Sequence, residues 1–435
     1  MQTSYYQRVL ILLAFSYSSL VASGISIAGV GDTVIATWKD NLAGALSLTI
    51  DDALDDREDT LGILDDFGVK GTFFLNTGDL LARPALQTAM IGASQNGHEI
   101  GSHTLTHPNL TSLSSFNRNK ELEDSQQILE GLISKPVITL AYPFGAHNAA
   151  VEANTADYYI AARTVYPDAL HPATGQDMYL LGEAPGPFDW TDAEFIANRL
   201  AFAQSAVDQG GWGVEMYHNL GAPGTLNREL FHTEAALRGH LTNLTTGNLA
   251  QELWVAPMGD VAQYYRSREE SSLSSTFDGV DEVTVELTLT DPTGRIATDL
   301  TLLTTVPGAW GSGDIEVRQD GDILPFSQSA DGSDIQVTYA ALPNGGDVLV
   351  SLASSSISGD IDEDGDVDGI DFLELQRGLG SIYTNDDLSD WEDNYGTVAP
   401  LSGISQVPEP STILVLLFGV FESVLLGRRR TSRCL

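Results

Sequence analysis

The chain has 435 residues, 42% of them hydrophobic, and a formal net charge of -39 from 60 acidic against 21 basic side chains. That length suits roughly two to four folded units rather than one. The acidity excludes nucleic acid as a partner, since phosphate binding needs clustered Lys and Arg, and fits a soluble, cation-binding or extracellular protein.

The single cysteine, Cys434, leaves neither a disulfide framework nor a thiol metal site. Arg8 precedes the apolar run Val9 to Phe15, and small residues follow at Val21-Ala22-Ser23. This order predicts a secretory signal over residues 1–23, the alternative being a buried N-terminal helix. Residues 29–268 then alternate strand and helix patterns. Leu46, Leu48 and Ile50 mark a strand that ends in Asp51-Asp52. Leu61, Leu64 and Phe67 predict a helix over 57–67, stopped by Gly68. Strands are expected at 71–75, 99–102, 137–141, 158–162, 213–217 and 252–256, with helices over 79–95 and 116–132. The repeat predicts a parallel sheet or barrel.

Asp51-Asp52, His103 with His107, Pro143-Phe144-Gly145 and His218 each fall just past the end of a different strand. In a parallel sheet those ends form one rim, where ligands collect. Adjacent carboxylates are costly unless a cation or a shared proton relieves them. His103 and His107, four apart, would share one side of a helical turn. With one Asp they make a set that leaves positions for water and substrate, as a hydrolytic metal site needs. His171, His232 and His240 have no partner at ligand spacing, His147 stands where a helix begins, and His98 reads as structural.

Four segments taken together resemble successive motifs of the polysaccharide deacetylase family, the NodB-homology group or carbohydrate esterase family 4. They are Thr49-Ile50-Asp51-Asp52-Ala53, Ser102-His103-Thr104-Leu105-Thr106-His107, Ala141-Tyr142-Pro143-Phe144-Gly145 and Glu215-Met216-Tyr217-His218. The resemblance implies a distorted (β/α) barrel and a metal-dependent hydrolase that removes N-acetyl or O-acetyl groups from a polysaccharide. It implies Asp52, His103 and His107 as ligands of a divalent metal, commonly zinc. Asp51 would be the general base, His218 the general acid, and a backbone N–H near Phe144 an oxyanion donor. The third motif departs from the family, with Ala141 at a frequent Arg position and Phe144 at a frequent Tyr position. Arg163 is a candidate for the missing cation, a surface salt bridge being the alternative. Asp189-Trp190 has the letters of the motif that tunes the acid histidine. The alternative function is a catalytically silent carbohydrate-binding protein or a structural protein of the cell envelope.

Residues 275–354 turn to alternating β patterns, best seen at Val283–Leu289 and Asp347–Leu352, and predict a small β-sandwich-like domain. Spacer and carbohydrate-binding roles are both open for it. Within 359–397, Asp360, Asp362, Asp364, Asp368 and Asp371 occupy loop positions one, three, five, nine and twelve. Gly365 stands at six, and Asp366 at seven can offer its carbonyl. A short helix follows, and the module resembles a dockerin type I calcium loop with one calcium site. A cohesin-like partner is implied by that resemblance alone; calcium-stiffened spacing is the other reading. Val407-Pro408-Glu409-Pro410-Ser411, an apolar run and Arg428-Arg429-Arg430 close the chain. Residues 407–431 thus resemble a PEP-CTERM sorting signal, which implies export, transient membrane anchoring and a cell-envelope or extracellular location.

Overall fold

The computed structural model describes residues 29–52, 57–165, 170–184, 191–220, 231–311, 315–352, 358–362 and 366–397. The expected signal at 1–23, Asp189-Trp190, Asp364 and the segment 407–431 lie outside them.

After β1 (Thr33–Ile35) comes β2 (Gly44–Asp51), buried along its whole length. Then follow α1 (Arg57–Asp66) and β3 (Thr72–Leu75). The helix expected over 79–95 is two, α2 (Thr77–Leu81) and α3 (Pro84–Gln95). Pro84 has no N–H to continue the first and takes the opening position of the second. The alternation continues through β4 (Glu99–Ser102), α4 (Ser115–Ile133), β5 (Thr139–Ala141), α5 (Ala149–Ala156), β6 (Ala161–Arg163) and β7 (Leu170–His171). Next come α6 (Asp192–Gln209), β8 (Trp212–Tyr217), β9 (Asn219–Leu220), β10 (Phe231–His232) and α7 (Glu234–Thr245). The unit ends with α8 (Leu249–Glu252), β11 (Leu253–Val255) and α9 (Met258–Glu270).

The main sheet runs β6-β5-β4-β3-β2-β8-β7, with β11 beside the first half of β2. Its pairs are parallel except β7 with β8. The sheet curls, and the irregular stretch 178–184 links its two sides. Thr164 N–H donates to Leu181 O at 2.8 Å, and Ala184 N–H donates to Val214 O at 2.8 Å. The period-two parity of β2 sorts its side chains. Leu46, Leu48 and Ile50 join the apolar layer with Phe73, Leu122 and Leu241. Ala45 sides with Trp38, Phe74 and Trp212 in the interior cluster, and Ser47 accepts from Trp212 Nε1–H there at 3.1 Å. The same parity carries Asp51 to the inner side of the sheet.

The second unit starts directly after α9, earlier than the expected 275. It comprises β12 (Ser271–Phe277), β13 (Glu282–Leu289), β14 (Leu300–Val306), β15 (Ile315–Gln319), β16 (Asp322–Ile323), β17 (Phe326–Asp331), β18 (Asp334–Ala341) and β19 (Val348–Leu352). Two antiparallel sheets, β1-β14-β18-β17 and β12-β13-β19-β15-β16, share a core that includes Val285, Leu302, Val317, Val337 and Val350. Residues 29–268 are therefore not one unit. β1 precedes the barrel in the chain but pairs with β14, Thr33 opposite Thr304. The chain leaves this sheet, builds the barrel, and returns. Two helices, α10 (Gly369–Gly378) and α11 (Asn385–Asn394), follow. Among the described residues no helix is long and apolar enough to cross a membrane.

Candidate active site

Asp51 ends β2, His103 leaves β4, Arg163 ends β6 and His218 follows β8, so the strand ends bring them to one rim. Asp52 Oδ1 lies 3.8 Å from Nε2 of His103 and 3.8 Å from Nε2 of His107, and the two Nε2 atoms are 3.1 Å apart. Bonds of about 2.0–2.1 Å to a tetrahedral ion put ligand atoms roughly 3.4 Å apart. The triangle has that size, and one carboxylate with two imidazoles is a donor set that zinc accepts. His103 Nδ1–H donates to Ala141 O at 2.8 Å, which turns the Nε2 lone pair toward the other two ligands. Burial, with Asp51 and Asp52 opposing it and His107 reinforcing it, lowers the pKa of His103. That favours the neutral ring a metal ligand requires.

The loop carrying the two histidines is not the helical turn expected from their spacing. Thr104 and His107 both have left-handed backbones, at φ +68° and +56°. A β-branched residue there costs about 1–2 kcal/mol, and neighbouring hydrogen bonds offset it. Thr104 N–H donates to Ser102 Oγ at 3.2 Å, and His107 N–H donates to Thr104 Oγ1 at 3.0 Å. The amide and hydroxyl of Thr106 donate to the two Glu121 carboxylate oxygens at 2.8 and 2.7 Å. From α2, the amides of Thr77 and Gly78 donate to the carbonyls of Thr104 and Leu105 at 3.1 and 2.7 Å. A Cβ on Gly78 would lie 2.9 Å from Leu105 O, so a side chain there would push the loop away.

Asp51 is buried and ion-paired with Arg163 Nη2. Burial by itself would raise the Asp51 pKa, but Arg163, then His103 and His218, outweigh it and hold it at about 2. Arg163 is buried too, so the surface salt bridge is not its role. Its guanidinium lies 5.5 Å from the centroid of the Phe74 ring, which fills the space where Gly101 lacks a side chain. His218 Nε2 stands 4.0 Å from Asp52 Oδ2. Phe144 has a left-handed backbone at φ +60°, is 65% exposed, and sets its ring edge-on to His107 at 4.6 Å between centroids.

His98, His147, His171 and His240 serve the scaffold. His98 accepts from Gly71 N–H at 3.1 Å and meets Asp65, and His147 contacts Glu152 at 2.7 Å. His171 donates to Gly182 O at 3.3 Å. His240, without a partner in the sequence pattern, contacts buried Glu215 at 2.9 Å. Glu121 and Glu183 escaped sequence reasoning. Glu121 is one polar residue in a polar helix, and Glu183 a lone acid between Gly182 and Ala184, so neither had a spacing signal.

In the acidic loop, ligand oxygens of Asp360, Asp362 and Asp371 gather within 4.8 Å, as do those of Asp366, Asp368 and Asp371. Buried Asp371 is the hub. Its Oδ1 accepts from the amides of Ile361 and Asp362 at 2.6 and 3.1 Å, and its Oδ2 from that of Asp368 at 2.7 Å. Trp391 Nε1–H donates to Asp368 O at 2.8 Å, and its ring lies 4.6 Å from that of Phe372.

Residues 39–161 match the family model described as polysaccharide deacetylase. The chain is 29% identical over 336 residues to a gellan lyase from a Bacillus species, covering 74% of this chain and 13% of that protein. It is 27% identical over 103 residues to YxkH of Bacillus subtilis (strain 168), whose name places it among polysaccharide deacetylases, covering 23% of this chain and 37% of that one. The chain thus spans well under half the length of either relative. Among solved structures, it is similar to the Xyl-CE4 domain of a multidomain xylanase from the hindgut metagenome of Trinervitermes trinervoides. That match has 20% identity and a TM-score of 0.36 over 50% of this chain and 89% of that one.

Proposed function

We propose that the chain is an exported, metal-dependent hydrolase that removes acetyl groups from a polysaccharide. One observation carries the reading: the Asp52-His103-His107 triangle stands beside a second carboxylate, Asp51, that Arg163 holds ionised. A divalent ion in that triangle, zinc by its donors, would supply a Lewis acid for the acetyl carbonyl and make water more acidic. Asp51 accepts the proton of the attacking water, and Arg163 keeps its carboxylate charged and oriented. His218, whose Nε2 lies 4.0 Å from Asp52 Oδ2, hands a proton to the leaving amine or alcohol. The Phe144 backbone N–H is the oxyanion donor in this reading. The likeness to a gellan lyase supports a polysaccharide as the substrate class.

The other segments complete the proposal. Residues 1–23 direct export, and 407–431 sort the chain to the cell envelope with transient membrane anchoring. The acidic loop takes one calcium ion through Asp360, Asp362, Asp364, Asp366, Asp368 and Asp371, for spacing or for a cohesin-like partner. The test is acetate release from chitin oligomers, peptidoglycan and acetylated xylan by the purified full chain, before and after chelation and with zinc restored. Chelator-sensitive release is expected on at least one polymer. Its absence on all of them overturns the enzyme and leaves the silent carbohydrate-binding reading, which pull-down with the same polymers then decides. Fractionation of cells producing the full chain checks the location; a purely cytoplasmic product would refute export.

A further inference from the structure

The stretch 103–107 carries both histidines of the triangle, and each of its amides has a partner. His103 N–H donates to Leu75 O at 3.0 Å, and Leu105 N–H to Glu121 O at 3.2 Å. Those of Thr106 and His107 donate to the Glu121 carboxylate and to Thr104 Oγ1. That of Thr104, the first left-handed residue, donates to Ser102 Oγ at 3.2 Å. Behind that contact stands a residue of α4. Ser125 Oγ lies 2.8 Å from Ser102 Oγ and 2.6 Å from Thr77 Oγ1, one hydroxyl joined to two others. Thr77, Ser102, Thr104 and Ser125 are all fully buried. Glu121 and Ser125 are four apart on α4, so a single face of that helix meets the ligand loop from below.

A hydroxyl carries one proton and two acceptor sites. Ser125 can therefore donate to one neighbour and accept from the other, which satisfies three buried hydroxyls with one residue. Leaving any of them unpaired in a dry interior is costly, so the series Thr77–Ser125–Ser102 favours the rotamers that close it. With Ser102 Oγ held there, its free acceptor site faces the Thr104 amide. Thr104 needs such support, because a left-handed β-branched residue persists only where its surroundings over-determine it. We infer that Ser125 is a positioning residue for the two histidines: through Ser102 it pins the start of their loop, while Glu121, one turn earlier on α4, holds the middle. Neither touches an imidazole. Their effect is to keep the two Nε2 atoms together before an ion arrives, so that binding does not have to order the loop. This inference rests on the metal-dependent reading above, and the experiment below separates the two.

The test uses the full chain with calcium in excess, so that the acidic loop does not compete for zinc. Ser125→Ala removes the bridging hydroxyl; Ser125→Cys, with its weak donor, replaces it if the alanine chain does not fold. Ser267→Ala is the control, taking an equally buried hydroxyl from α9, outside the network. The first readout is the zinc Kd by competition with a chromophoric chelator. Ser125→Ala should weaken it about 10-fold or more, as loss of an outer-shell support does, and Ser267→Ala should leave it unchanged. Because Ser125 acts through Ser102, the Ser102→Ala/Ser125→Ala pair should bind zinc within about twofold of Ser102→Ala alone. The second readout is hydrogen exchange at the Thr104 amide of the zinc-free chain, which should quicken about tenfold or more in Ser125→Ala. A wild-type Kd in Ser125→Ala, an equal loss in Ser267→Ala, additive losses in the pair, or unchanged Thr104 exchange overturns the inference. If the wild-type chain binds zinc and releases no acetate, the hydrolase reading falls alone, and the Kd still decides the role of Ser125.

Discussion

At the barrel rim, Asp52, His103 and His107 arrive from two strand ends and meet across space, whereas Asp360, Asp362, Asp366, Asp368 and Asp371 all come from one short stretch, a loop and the first turn of α10. The rim mixes nitrogen with oxygen and sets Arg163 beside the spare carboxylate. The loop offers oxygen only, and its hub, Asp371, is already engaged by three backbone amides. Backbone strain divides the same way. Asp52, Thr104, His107 and Phe144 have left-handed backbones, while among the described residues of 358–397 only glycines do. Strain of this kind persists only where the surroundings over-determine it. The rim's geometry is therefore imposed by the barrel, and the loop's by its own hydrogen bonds and the cation it is proposed to take.

Four substitutions would break or sharpen that contrast. His103→Ala should have the largest effect: loss of the bound zinc, acetate release down by about 10³-fold or more, and calcium binding unaltered. Metal analysis with the acetate assay checks it, and retained zinc would mean that the triangle is not the site. Asp51→Asn should lower kcat roughly 10²- to 10⁴-fold while zinc content stays at the wild-type level; if zinc leaves instead, Asp51 and Asp52 have exchanged roles. Asp371→Ala should abolish the calcium-dependent change in Trp391 fluorescence and destabilise α10 and α11 by about 2–4 kcal/mol. The barrel's own melting transition should not move, and a shift there would show that the two regions are coupled.

The smallest effect concerns the opposite end of the barrel. Glu99 accepts from the hydroxyls of Thr72 and Thr139 and from the Gly259 amide, yet burial outweighs them and raises its pKa from 4.5 to about 7. A raised folded pKa means that the folded chain holds the proton more tightly. The stability this adds is complete below about pH 4.5 and is lost as the pH rises through about 7. Glu99→Gln should remove about 2 kcal/mol of pH dependence across that window without changing zinc binding. Urea titrations at pH 4.5 and 8 measure the first and metal analysis the second.

Much of the rim was legible because strand parity and strand ends are local properties. The alternation of Leu46, Leu48 and Ile50 places Asp51 inward, and the turn residues after each strand mark where side chains gather. Spacing alone predicts a helical turn for His103–His107, because it cannot register the left-handed residues Thr104 and His107. Their conformation depends on Glu121 and Gly78, which lie in other elements. The break at Pro84 was readable in principle, since proline carries its own backbone signal.

By itself the sequence determined the order of the strands, the acids and histidines that end them, and the oxygen-rich spacing of the acidic loop. Each follows from chemistry within a few residues. Only the tertiary structure decided that Arg163 buries its charge on Asp51 and that Thr33–Ile35 belong to the second unit's sheet. Those are contacts between residues far apart in the chain. Burial and pairing across such distances are set when the sheet curls, and no local pattern records them.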